Sequence, residues 1–350
     1  MSSNIKRSVS LYSYQEEYYT GKMNLEDCIR EAARAGATGI ELLPEQMMDS
    51  FPLVTDEFKE KWFGWMEKYG TEPSCSDAFL ENHIYDNRML TLKEQIAMMD
   101  RDIRIASELG FKTLRTLVST PLDVIEGSLP CAEENNVKIC LEVHSPFSLN
   151  SGWADGYLEM IRRTGTKVFG FMPDFGIFCK HVPDLLISQA RENGAKEECI
   201  QAVIDAFEER VAGGIVKIKY DLNLGRAHGE YMKANHFPEL MARIERLGGG
   251  ALEKSLAGAS FNYTWTDPQD VVDNIQYIYH THAKFYHMTE DYKDTAVQID
   301  DAVAAYKRAG YTGFLSSEYE GNNMINDDSL LDSVEQVRRH QEALRRAIEE

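Results

Sequence analysis

The chain is short of positive charge, of paired cysteines and of long apolar runs, and each shortage excludes a class of protein. Lys and Arg number 37 against 57 Asp and Glu, a formal net charge of −20. A field of that sign repels nucleic-acid phosphates and anionic lipid headgroups, so neither is an expected partner. It also disfavours a phosphorylated substrate that lacks a local basic pocket; its plainest role is to keep the surface soluble. The six cysteines, at 28, 75, 131, 140, 179 and 199, form no CxxC or CxxH pair. That pattern fits a reducing compartment and argues against disulfides and zinc knuckles. No run of about 18 apolar residues occurs, so no transmembrane helix is expected. MSSNIKRSVSLYSYQEEYY lacks the apolar centre of a secretory signal, and the expected location is cytoplasmic. Walker A and GxGxxG loops are missing, which excludes the usual phosphate cradle and dinucleotide site. Asp174-Phe175-Gly176 matches the kinase magnesium triplet without the HRD or glycine-rich loop that gives it meaning. The sequon at Asn262 has none in a cytosolic chain.

What is present is a repeating unit. Residues 7–12, 39–43, 72–76, 113–118, 138–143, 168–173, 277–285 and 313–319 read as strands, and eight is the number that closes a parallel barrel. Helical patterns lie between most of them. The stretch 25–35 has apolar residues at Leu25, Ile29, Ala32 and Ala33 before Gly36. The pattern returns in 91–109 before Gly110 and in 300–309 before Gly310. A glycine just past the last turn takes the left-handed conformation that stops a helix, and the next strand starts at once. The sequence therefore predicts a (β/α)₈ TIM barrel, a single domain over 1–350, closed by a helix over 328–348. The exception is 176–268, a helical insertion between strands 6 and 7. Within it 195–210 and 237–247 read as helices, 215–220 as a short strand and 248–250 as a turn. Loops that follow barrel strands lie on the catalytic face, so the insertion is expected beside the active-site mouth.

Acids and histidines gather at strand ends. Glu142 and His144 in KICLEVHSPF are two apart and share a strand face. Asp174 ends the apolar run GFMP. His280, His282 and Lys284 alternate in YIYHTHAKFYH, as Glu318 and Glu320 do in GFLSSEYEG. One strand-end glutamate is ordinarily a salt-bridge partner, but bare carboxylates at the ends of four apolar strands are costly to bury. A divalent cation held by Glu142, Asp174, His282 and Glu318 removes that cost. Three carboxylates and one imidazole suit Mn²⁺ best, with Mg²⁺, Co²⁺ and Zn²⁺ the alternatives. His144, two residues from a ligand, is the candidate base. His280, Lys284, Glu320 and Arg115 are candidates for substrate contact.

The order Glu, Asp, His, Glu on strands five to eight resembles the sugar isomerase/epimerase superfamily, whose barrels are xylose-isomerase-like. AGATGIEL and AGYTGFLSSEYEG are very similar to that group. SLYSYQEEYYTGKMNLEDCIREAA, LEVHSPF and the insertion look most like the large (alpha) subunit of bacterial C-glycoside deglycosidases. The chain departs from the ketose 3-epimerase pattern at Ile177, where those enzymes have His, and at Met288, where they have Arg. The resemblance implies a lyase that cleaves the carbon–carbon bond between a 3-oxo-sugar and an aromatic, flavonoid-type aglycone. A C–C bond offers no oxygen for a hydrolytic acid to protonate. A 3-oxo group makes the C2 proton acidic, and a metal polarising that carbonyl lets His144 remove it. The resemblance also implies a small beta subunit in a hetero-oligomer. A metal-dependent ketose 3-epimerase or sugar isomerase is the alternative, and a non-catalytic metal- or sugar-binding barrel is a third.

Overall fold

Each of the eight strand runs becomes a strand in the computed structural model, which describes residues 4–214, 216–219, 221, 223–325 and 332–350. They are β1 (Lys6–Ser10), β2 (Gly39–Leu42), β3 (Glu72–Ala78), β4 (Thr113–Thr116), β5 (Lys138–Val143), β6 (Phe169–Pro173), β7 (Thr281–Phe285) and β8 (Phe314–Tyr319). All ladders are parallel, in the order β6-β5-β4-β3-β2-β1-β8-β7. Representative pairs are Ser10 with Glu41, Arg115 with Cys140, Glu142 with Met172 and Lys284 with Glu318. Between β6 and β7 only the isolated parallel bridges Phe171–Ile278 and Asp174–His282 complete the circle. The strands are buried on both faces, which is why they read as near-continuous apolar runs.

Helices cover the outside. Leu25–Arg34 starts at an Asn24/Asp27 capping box and buries Leu25, Cys28, Ile29 and Ala32. Leu92–Glu108 starts at a Thr91/Glu94 box, and Ile299–Arg308 buries Ala302, Val303 and Tyr306. Gly36, Gly110 and Gly310 follow these three helices with φ of 94°, 85° and 71°, the left-handed values their positions called for. The last helix, Ser333–Glu349, packs Val337, Ala343 and Leu344 inward; 328–331, the start expected for it, lie outside the described residues.

The path from β6 to β7 carries the helices Asp184–Glu192, Glu197–Gly213, Leu224–Ala234, Phe237–Arg246, Ala251–Ala259 and Gln269–Asn274. Of the short strand expected over 215–220, Ile215 and Tyr220 lie outside the described residues and 216–219 form no strand. The seventh strand is shorter than the run 277–285. Ile275–Tyr277 form a 3₁₀ turn, Ile278 makes only the isolated bridge to Phe171, and the ladder with β8 starts at Thr281. Among the described residues no helix is long and apolar enough to cross a membrane.

Candidate metal centre

Side chains from β5, β7, β8 and the end of β6 converge inside the barrel. Glu142 on β5, Asp174 just after β6, His282 on β7 and Glu318 on β8 each offer a ligand atom, and these atoms lie within 4.8 Å of one another. All four are buried. The Gly176 amide donates to Asp174 Oδ1 at 2.6 Å and fixes that carboxylate, leaving Oδ2 turned inward. His282 Nδ1 stands 3.2 Å from Glu318 Oε2 and 3.4 Å from Glu142 Oε1.

Cations surround the acids. Arg115 on β4 reaches Glu142 Oε2 at 3.0 Å. Lys284, 1% exposed, lies 2.6 Å from Asp174 Oδ2, 3.1 Å from Glu320 and 3.4 Å from Glu318 Oε2. Burial works to raise Glu142, but Arg115 and then His282 outweigh it and hold the carboxyl well below its usual range. Asp174 goes the other way: burial pushes it up to about 6 although Lys284 opposes the rise. Burial would lower His282, yet Glu318 and Glu41 raise it well above an ordinary imidazole.

These residues fit a divalent cation. Asp174 Oδ2 and Glu318 Oε2 are buried and accept no hydrogen bond of good geometry, even with Lys284 close by. Buried oxygens in that condition call for a further partner, and an O₃N donor set is one that hard divalent ions accept.

The other expected site residues fall around this cluster. His144 is just past the end of β5 and partly exposed, and its Nδ1 donates to the Ser145 carbonyl at 2.6 Å. A carbonyl only accepts, so the proton sits on Nδ1 and Nε2 carries the free lone pair. Glu320 is at the rim, its side chain 25% exposed. His280 is 1% exposed and its Nε2 bonds Glu41 Oε2 at 2.8 Å.

Glu41 on β2 and Asp77 on β3 belong to the same interior but carry no sequence signal beyond one acid in an apolar run. Glu41 is fully buried; it forms two further ligand groupings, with Cys75 and His280 and with Asp77 and His282. Burial, reinforced by Glu41, raises Asp77 well above a normal carboxyl.

The family model of the xylose isomerase-like TIM barrel matches residues 29–181. Over that stretch the chain is similar to that family. Over 351 residues it is 27% identical to a C-glycoside deglycosidase alpha subunit of Arthrobacter globiformis, covering 99% of this chain and 94% of that protein. It is 26% identical to a 3'-dehydrocarminate deglycosidase alpha subunit of a Microbacterium species, covering 93% and 91%. A xylose isomerase domain protein of Alicyclobacillus acidocaldarius superposes with a TM-score of 0.53 at 9% identity, covering 98% of each chain, a likeness of fold. The likeness to deglycosidase alpha subunits thus extends over nearly the whole chain.

Proposed function

We propose that the chain is the catalytic subunit of a metal-dependent C-glycoside deglycosidase, a carbon–carbon lyase acting on 3-oxo-C-glycosides. The observation that carries this reading is the convergence of Glu142, Asp174, His282 and Glu318 on one point, with two buried oxygens left without hydrogen bonds. The names of the two relatives support the substrate class.

Glu142, Asp174, His282 and Glu318 would hold the ion, Mn²⁺ by preference. When bound, the ion supplies Lewis-acid polarisation of the sugar's 3-oxo group. His144 takes the C2 proton on Nε2, since Nδ1 is spent on the Ser145 carbonyl. The electrons left at C2 form the C1–C2 double bond as the bond from C1 to the aryl carbon breaks. A proton returned to the aryl carbon balances the one removed, giving an unsaturated keto-sugar and the free aglycone. Lys284, Arg115 and the rim residue Glu320 supply charged groups near the sugar. His280 is buried against Glu41 and reaches the site through that residue.

The relatives are named alpha subunits, and we infer that this chain works with a small beta subunit in the cytoplasm. We also read 1–350 as one domain, with the helical segment 176–268 beside the mouth. The test is incubation of purified chain with a 3-oxo-C-glucoside and Mn²⁺, with and without the small protein encoded beside it. Aglycone release that depends on both Mn²⁺ and the partner is the expected result. Turnover of a free ketose by the chain alone would instead select an epimerase or isomerase.

A further inference from the structure

We propose that Glu41 is a positioning residue of the metal centre: one buried carboxylate clamps His280 and His282 together and forces His282 to present Nδ1 to the ion. The proposal rests on the metal reading of the site given above.

Glu41 comes from β2, which in the sheet order is separated from β7 by β1 and β8. Its side chain therefore reaches across the barrel interior. Oε1 accepts from His282 Nε2 at 2.5 Å, and Oε2 accepts from His280 Nε2 at 2.8 Å. The side chains of all three residues are at most 1% exposed. A carboxylate so buried is tolerated only when donors satisfy both oxygens, and here two imidazole N–H groups do so.

The consequence falls on His282. With Nε2–H held by Glu41, Nδ1 is the nitrogen left for the ion. That nitrogen faces Glu142 Oε1 and Glu318 Oε2 at 3.4 and 3.2 Å. Without an ion, Nδ1–H donates to Glu142 in the imidazolium that these carboxylates favour; a divalent ion between them would displace that proton and take the nitrogen's lone pair. A carboxylate behind a ligating imidazole fixes its tautomer and ring orientation and raises its basicity. His280 completes the clamp. It occupies the second oxygen of Glu41, so the carboxylate cannot rotate away from His282. This gives a physical reason for a histidine buried just ahead of β7 and pointing to the axis.

The experiment measures Mn²⁺ affinity of the metal-free full chain by competition with a chelator, and records the ¹⁴N coupling to bound Mn²⁺ by pulsed electron paramagnetic resonance. Variants are Glu41→Gln, His280→Gln and His280→Leu. Glu41→Gln should bind Mn²⁺ about 10–100-fold more weakly, the usual effect of losing such a partner, with an altered nitrogen coupling and an intact fold by circular dichroism. His280→Gln keeps a donor for Glu41 and should lose less than His280→Leu. Tight wild-type binding with unchanged affinity and coupling in Glu41→Gln overturns the clamp and leaves the metal centre standing. A wild type that binds no Mn²⁺ overturns both. Should Glu41→Gln not fold, the His280 pair decides: equal affinity in His280→Gln, His280→Leu and wild type overturns the proposal.

Discussion

Lys284→Met removes the cation that sits among the acids, and its cost is expected to depend on metal. Lys284 Nζ lies 2.6 Å from Asp174, 3.1 Å from Glu320 and 3.4 Å from Glu318, with the side chain 1% exposed. Burial alone would lower its pKa, but Asp174, Glu318 and Glu320 together raise it well above an ordinary lysine. The side chain is thus charged, and its loss leaves Asp174 without its cation and Glu318 with His282 alone. Breaking a buried ion pair from one side costs about 3–5 kcal/mol. Unfolding entropy near 2.1 cal/mol/K per residue gives roughly 0.7 kcal/mol per degree for a chain of 350 residues, so the metal-free Tm should fall by about 4–7 °C. Mn²⁺ at a hundred times its Kd adds about 2.7 kcal/mol to any folded protein that binds it. The variant should gain more than the wild type, because its acids meet the ion without a competing ammonium. Scanning calorimetry in EDTA and in excess Mn²⁺ therefore should show a deficit that shrinks with metal. An equal deficit in both buffers, or none in EDTA, refutes the reasoning.

Three other outcomes are expected. Asp174→Ala and His282→Ala should each lose bound metal and turnover together, as elemental analysis after dialysis would show; full activity in a thoroughly chelated wild type would end the metal reading. His144→Gln should keep metal and fold while losing about 10²–10⁴-fold in kcat; loss of metal would make His144 a ligand, and normal turnover would move the base elsewhere. Asp102, 7% exposed, is pushed up to about 6 by burial, with Arg101 opposing the shift and Glu45 adding to it. A raised carboxyl favours the protonated fold, so its stabilising contribution is full below about pH 4 and is lost as pH rises through 6. Asp102→Asn should therefore stabilise by up to about 3 kcal/mol at pH 7.5 and by little at pH 4, read as the difference in Tm. A gain of equal size at both pH values would refute the assignment.

The barrel was legible because both of its signals are local. A strand buried on two faces is a short apolar run, and a helix that hands over to a strand ends at a glycine. Neither depends on distant residues, and Gly36, Gly110 and Gly310 stand where those rules put them. The three clustered acids and their histidine were legible from the strand runs that carry them. Glu41 was not, because a single acid in GIEL has the look of a salt-bridge partner. Its actual partners, His280 and His282, are 239 and 241 positions away, and only the closed barrel brings them to it. The front of β7 was over-read for a related reason. Alternating aromatics at Tyr277 and Tyr279 look like strand, but a local 3₁₀ turn at Ile275–Tyr277 takes precedence over periodicity. Of the short strand expected over 215–220, 216–219 are the part described, and they form none.

A cask leaks at its last stave. Seven joints of this barrel are hydrogen-bonded ladders, whereas the joint between β6 and β7 is made by two isolated bridges, one of them between Asp174 and His282. Those residues face each other across the gap and belong to one ligand group. Anything that grips both at once acts as a rivet through the seam. A ligand held by both would thus tie β6 to β7 at the joint that has no ladder. The amide of Tyr279, which donates to Phe171 across the same gap at 3.2 Å, is placed to report it through its rate of hydrogen exchange.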